Sequence, residues 1–285
     1  VPNDYQLRRV LGIKKIDLEG IPANDLGPLK GMKGLRELTL ANMELDTLLV
    51  LDGVTSLTWL NLEGNQLKTL AGLEHLTKLE YLNVSGNLIE DLTPISSCIN
   101  LMSLHISDNK IEDLTPVQNL PHLLTLVAQN NELSDLTPLR YCPGIKVLNL
   151  ARNKDVKDLT PIQNALAMGK LNVYNTGVES LKPIAKMSSI HELNVGYIKE
   201  TSLDALRGLW GLTDLNISGN TLTDFSVLNN FKSLRKFNCS KTKISDISPL
   251  MKMVNIRELK AVHTDFTKSD IQRFKKKFPD CQITY

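Results

Sequence analysis

The chain repeats itself every 22 residues. Apolar residues recur at Leu35, Leu57, Leu79, Leu101, Leu123 and Ile145, and each opens the phrase L-x-x-L-x-L-x-x-N-x-L. Leu57, Leu60, Leu62, Asn65 and Leu67 spell it once; Leu101, Leu104, Ile106, Asn109 and Ile111 spell it again. A period in the twenties, sustained over nearly the whole chain, means that one small unit is stacked many times. No such unit can bury its own apolar side, so the stack itself must be the fold.

Within the phrase, the second and third apolar residues stand two apart. That is strand spacing, and it puts both on one face. Stacked at about 4.8 Å per strand, the units form a parallel sheet with a continuous core. The Asn after each strand marks a turn, where a short amide can serve backbone groups and bridge coils. Asn65, Asn87, Asn109, Asn131, Asn153 and Asn220 hold this structural position. Met43, Thr176, Ile198, Thr242 and Thr264 replace it elsewhere. Thr can partly imitate the amide, whereas Met and Ile cannot, so those turns should be bonded differently.

The second half of the repeat reads D-L-T-P-L, as in Asp91 to Ile95, with copies at Asp113, Asp135 and Asp158 and a looser one at Asp246. Thr or Ser before Pro reads as an N-cap followed by the first helical position. The few residues left before the next strand allow one short 3-10 or α turn. The register slips once: one residue is inserted near Lys154-Asp155, and the next repeat opens at Met168 instead of residue 167. Counted from Ile13, this gives about twelve coils. The expected fold is an α/β leucine-rich repeat solenoid, a curved parallel sheet with short convex turns.

Solenoid ends need caps. We expect an N-terminal cap over residues 1–12, with Asn3 or Asp4 opening a short helix, then repeats over 13–264 and a C-terminal cap over 265–285. In that last cap, Ser269 and Gln272 read as a capping box before the apolar stripe Ile271, Phe274, Phe278. Pro279 stops the helix, and residues 281–285 read as a last strand. No second domain or linker is expected within the 285 residues.

The formal net charge of +2 argues against nucleic acid or an anionic membrane as the dominant partner. No apolar run is long enough to span a bilayer. Cys98 and Cys142 share one offset two repeats apart, roughly 10 Å, which is too far for a disulfide. All four cysteines read as small hydrophobes. The five histidines fall in different repeats without metal-ligand spacing, and no phosphate loop or nucleophile elbow occurs. The Asp column at 91, 113, 135, 158, 224 and 246 recurs at one slot per repeat, which reads as capping instead of acid–base work. No catalysis, metal or cofactor is expected. The sequons at Asn83, Asn216 and Asn238 lie in strands and read as by-products of the repeat.

Any partner must then be recognised by the outward side chains of the strands. Their middle column is an Asn ladder (Asn61, Asn83, Asn149, Asn172, Asn194, Asn216, Asn238), read as amides bonding to one another. His105 and Val127 interrupt it between Trp59, Tyr81 and Tyr174. Exposed aromatic and apolar residues on a polar sheet are the usual anchors of protein interfaces. Trp59, Tyr81, His105, Val127, Val147 and Tyr174 are therefore the candidate partner-binding residues. The lane Glu192, Asp214, Lys236 and Glu258 reads as a solubilising surface.

The phrase L-x-x-L-x-L-x-x-N-x-I-x-D-L-x-P-L, best copied at 79–100 and 101–122, resembles the short repeats of bacterial internalins. It resembles equally those of the nuclear protein phosphatase-1 regulatory subunit. The ending Phe278-Pro279-Asp280-Cys281 is similar to the last turns of bacterial repeat proteins. The resemblance implies protein binding by the concave face. We expect a non-catalytic, monomeric scaffold with a protein partner, exported or on the surface of a bacterium. The alternative is a cytoplasmic regulatory subunit docking on an enzyme such as a phosphatase.

Overall fold

The computed structural model describes residues 12–21, 26–222 and 224–285. The helix expected over residues 5–10 lies outside them. The chain packs as two compact units, one up to Ile145 and one from Lys146 onward. In the first unit six strands are described: β1 (Lys15–Asp17), β2 (Glu37–Thr39), β3 (Trp59–Asn61), β4 (Tyr81–Asn83), β5 (Ser103–His105) and β6 (Thr125–Val127). Each pairs in parallel with the next at a 22-residue offset, as in Tyr81 opposite Ser103 and Leu82 opposite Leu104. The second unit holds β7 (Val147–Asn149), β8 (Lys170–Asn172), β9 (Glu192–Asn194), β10 (Asp214–Asn216), β11 (Lys236–Asn238), β12 (Glu258–Lys260) and β13 (Gln282–Thr284). These are also parallel and consecutive. Val147 pairs with Lys170, an offset of 23, so the inserted residue is absorbed between β7 and β8. Gly177 in the next coil makes room for it: a Cβ there would stand 2.5 Å from the Lys154 carbonyl oxygen.

From β2 to β12 the coils bury the same apolar slots, while Ile13, Ile16 and Leu18 of the first coil are half-buried. Leu57, Leu60, Leu62 and Leu67 are fully buried, as are Leu101, Leu104, Ile106 and Ile111. The opposite leg of most coils is a 3-10 turn, such as Thr93–Ser97, Thr115–Asn119 and Thr137–Tyr141. Thr is not their N-cap. The cap position is the preceding Leu, and Thr93 is already helical, with Pro94 behind it. The Asp column does the capping: Asp91 Oδ1 accepts from Thr93 N at 2.7 Å, and Asp113, Asp135, Asp158, Asp224 and Asp246 repeat the bond. A side chain two residues upstream reaches the first unpaired amide, which a Thr inside the turn cannot do.

The Asn after each strand is a buried staple. Asn87 Nδ2 donates to Val84 O in its own coil (2.9 Å) and to Leu62 O in the preceding one (3.0 Å). Its Oδ1 accepts from Leu67 N, also in the preceding coil. Asn65, Asn109, Asn131 and Asn220 bond backward in the same way. Where Thr stands instead, its hydroxyl reaches only its own coil: Thr176 to Val173 O, Thr242 to Cys239 O and Thr264 to Ala261 O. Ahead of every staple sits a residue with left-handed backbone, φ between 53° and 70°. In the first unit these are Gly20, Asn42, Gly64, Gly86, Asp108 and Asn130. In the second they are Arg152, Asn175, Tyr197, Gly219, Lys241 and His263.

The C-terminal helix α1 (Lys268–Lys277) opens one pair earlier than the sequence suggests. Thr267, not Ser269, is the N-cap: its Oγ1 accepts from Asp270 N, and Asp270 Oδ2 accepts from Thr267 N at 3.0 Å. Thr267 keeps extended backbone, which an N-cap requires. Ile271 and Phe274 face inward. Lys277 Nζ donates to Met251 O at 2.7 Å and Lys275 Nζ lies 4.6 Å from the Tyr285 ring, so two of the three lysines fasten the cap.

Candidate binding surface

Alternation along each strand sends every second side chain out of the sheet. In the first unit the outward positions of β3 to β5 carry Trp59, Tyr81 and His105. Trp59 and Tyr81 stand opposite each other in the register and stack face to face, centroids 4.8 Å apart and planes within 5°. Tyr81 meets His105 at 5.2 Å and a 44° tilt, from one column to the next. Ser103 Oγ and His105 Nε2 lie 3.0 Å apart and fix the imidazole. The three rings are half-buried and form one aromatic row, with Val127 of β6 half-exposed beyond it.

Glu63 stands beside this row, and Asn83 Nδ2 donates to its Oε2 at 2.8 Å. Burial lifts the Tyr81 hydroxyl above its usual pKa, and the Glu63 charge adds to this. Burial lowers His105, with Glu63 opposing. The row is thus a ring stack in which the imidazole is driven toward its neutral form, with one carboxylate alongside.

Val147 and Tyr174 lie in the second unit. Val147 is half-buried on β7. Tyr174 meets Tyr197 edge-on, centroids 5.4 Å apart, and Lys241 Nζ stands 5.7 Å over the Tyr197 ring. Four of the six candidates thus lie in the first unit and two in the second. The charged lane of the second unit is bonded within itself: Lys170 to Glu192 (2.7 Å), Lys236 to Asp214 (3.2 Å) and Lys260 to Glu258 (2.9 Å). With Asn172, Asn194 and Asn216 it lines a shallow depression of about 550 Å³.

The amides of the middle column do not bond chiefly to one another. Each Oδ1 accepts the backbone N–H two residues on, from Asn61 to Glu63 N through Asn238 to Ser240 N, and bends the chain out of its strand. This local bond is easier to satisfy than one across coils. Neither His105 nor Val127 offers a carbonyl oxygen for this turn. Two features were not read from the sequence. Tyr197 holds a left-handed backbone, and Trp210 is 68% exposed just before β10. Trp210, Leu166 and Val254 share one repeat slot, two residues ahead of the buried Leu212, Met168 and Ile256, and this spacing could have flagged them.

A family model for leucine-rich repeats matches residues 55–97 and 210–252. No curated protein matches the sequence. Among solved structures, an internalin (inlF) of Listeria monocytogenes aligns with a TM-score of 0.83 at 21% identity, over 98% of this chain and 88% of that one. The functional domain of InlJ from the same organism, described as including a cysteine ladder, gives 0.72 at 24% identity over 82% and 50%. A leucine-rich repeat protein of Leptospira interrogans gives 0.53 at 19% over 100% and 92%. The fold is a leucine-rich repeat solenoid of 22-residue repeats, and it is internalin-like. Unlike a ladder of cysteines, its own four thiols are free and spread over both units.

Proposed function

We propose that the chain is a non-catalytic scaffold that binds a protein partner through the outward sheet face of its first unit, at Trp59, Tyr81, His105 and Val127. The observation that carries this reading is the Trp59–Tyr81–His105 row, three rings gathered on a solvent-facing sheet, with His105 standing in a column otherwise held mostly by amides. Val147 and Tyr174 are the candidate contact residues of the second unit. The acidic column supports a scaffold over an enzyme, because its carboxylates are engaged as caps. No helix among the described residues is long and apolar enough to cross a membrane.

The test is to isolate the partner by affinity capture with mass spectrometry and measure binding by calorimetry. Tyr81→Ala should cost at least about 2 kcal/mol of binding, as truncated anchors do. Val127→Ser should weaken binding too, while Asn216→Ala in the second unit leaves it unchanged. Normal affinity in both first-unit variants, with folding intact, would place the interface elsewhere.

We also propose that the protein is exported or displayed on a bacterial surface, on the strength of its likeness in fold to the Listeria and Leptospira proteins. The four free thiols favour the second reading, a cytoplasmic regulatory subunit. Fractionation of the source cells decides between them.

A further inference from the structure

On the first unit, the outward side chains of β1 to β3 and their exits, among the described residues, are Asp17, Glu19, Glu37 and Glu63 with the cation Lys15, while Lys14 and Arg36 stand exposed at the entries of β1 and β2. Lys15 Nζ is bonded to Glu37 Oε2 at 2.8 Å. The register places Glu37 between Lys15 on one side and Trp59 on the other. Tyr81 covers one face of the indole. The other face looks along the sheet to Glu37, whose carboxylate is drawn away from it toward Lys15. Both members of that ion pair are open to solvent, Lys15 at 71% and Glu37 at 45%, so the pair is easily exchanged. A flat aromatic face beside an exchangeable carboxylate, with further carboxylates at the strand exits, fits one side chain above others. A guanidinium stacks on an indole and bonds a carboxylate through two parallel N–H groups, which an ammonium cannot do.

We propose that the partner presents a basic segment whose arginine stacks on Trp59 and takes over Glu37 from Lys15, with Glu63 receiving a neighbouring positive charge. This rests on the protein-binding reading above and names its chemistry. The second unit offers no such place, because its outward lysines and carboxylates are evenly matched and paired. A polyanion is disfavoured by the same carboxylates that favour arginine.

The full chain is screened against a displayed library of random dodecapeptides, and the selected peptides are titrated. Arginine should be enriched at a fixed position, and replacing it with lysine should weaken binding severalfold. Trp59→Ala and Glu37→Gln should each weaken binding at least tenfold, Glu192→Gln should do nothing, and affinity should fall as salt rises. Both Trp59 and Glu37 are solvent-facing, and unchanged melting curves confirm that the variants fold. Peptides that lose binding in Trp59→Ala and Tyr81→Ala yet show no arginine preference, or ignore Glu37→Gln, would overturn the arginine and leave the protein-binding face standing. Peptides indifferent to both aromatic truncations, or a library from which nothing binds, would overturn both.

Discussion

Gly219 and Gly20 occupy the same slot of different coils, each with left-handed backbone, φ +70° and +64°. Their surroundings differ. A Cβ on Gly20 meets nothing within 4 Å, whereas one on Gly219 would stand 2.6 Å from the Tyr197 ring. Gly20→Ala should therefore cost only the backbone term, about 1–2 kcal/mol. Gly219→Ala should cost more and displace Tyr197. Thermal melts of the two variants check the order, and equal losses would mean that Tyr197 yields freely. The left-handed slot itself was hidden in the sequence, because Gly, Asn and Asp fill it in some coils and Arg, Tyr, Lys and His in others. Tertiary stacking overrides local preference at Arg152 or Tyr197, and no local signal announces it. The thiols make a second prediction at this scale. Burial pushes Cys98 and Cys142 up to about 11 and Cys239 up to about 12. Only Cys281 is partly exposed. A disulfide-exchange reagent at pH 8 should titrate no more than one thiol rapidly in the folded protein and four after denaturation.

A strand of three residues and a 3-10 turn of three to five are each too short to persist alone, and the repeat compensates with side-chain caps. In the 3-10 turn at Thr137–Tyr141, Asp135 bonds to Thr137 and has its pKa lowered, first by the Thr137 hydroxyl and then by its backbone N–H. A carboxyl lowered on folding stabilises the native state above its unfolded value of about 3.8 and loses that contribution as pH falls through the folded value. Asp135→Ala should cost on the order of 1 kcal/mol at pH 7. The difference from the parent should shrink below about pH 4, which melts at the two pH values would show. The strand and the position of the Asp column were legible from period and slot alone. The cap assignments were not: Thr-Pro and Ser-x-x-Gln each satisfied the pattern for an N-cap, but the bonds went to Asp91 and Thr267. Sequence spacing says which groups are near, while dihedral angles decide which one can reach.

Across the molecule, each coil touches only the coils beside it, so stability is a sum of neighbour terms. Leu104 is fully buried at the centre of its coil. Leu104→Ala should cost roughly 2–5 kcal/mol, and the loss should be local. Hydrogen exchange should quicken in the adjoining coils of β4 and β6 and leave α1 unchanged. A melt indistinguishable from the parent would mean that the core register is misread. Fold class was legible at this scale because one error in a single repeat is outvoted by the others. The candidate surface was less so, since it is written once: Trp59 and Tyr81 could be placed outside the core, but their stacking and the carboxylates around them depend on the register of three coils at once.

Beyond their own coil, Asn65, Asn87, Asn109, Asn131 and Asn220 bond in one direction only, each to the coil before it. Asn87 closes amide and carbonyl groups around Leu62 and Leu67, and Asn109 closes those around Val84 and Ile89. Consider the chain leaving a ribosome, N-terminus first. A newly emerged coil has the bonds inside its own turn but not those that the next Asn makes back to it. Those arrive one repeat later. Where an Asn follows, folding must therefore trail synthesis by one coil, and a nascent chain paused there carries one half-sealed coil at its growing end.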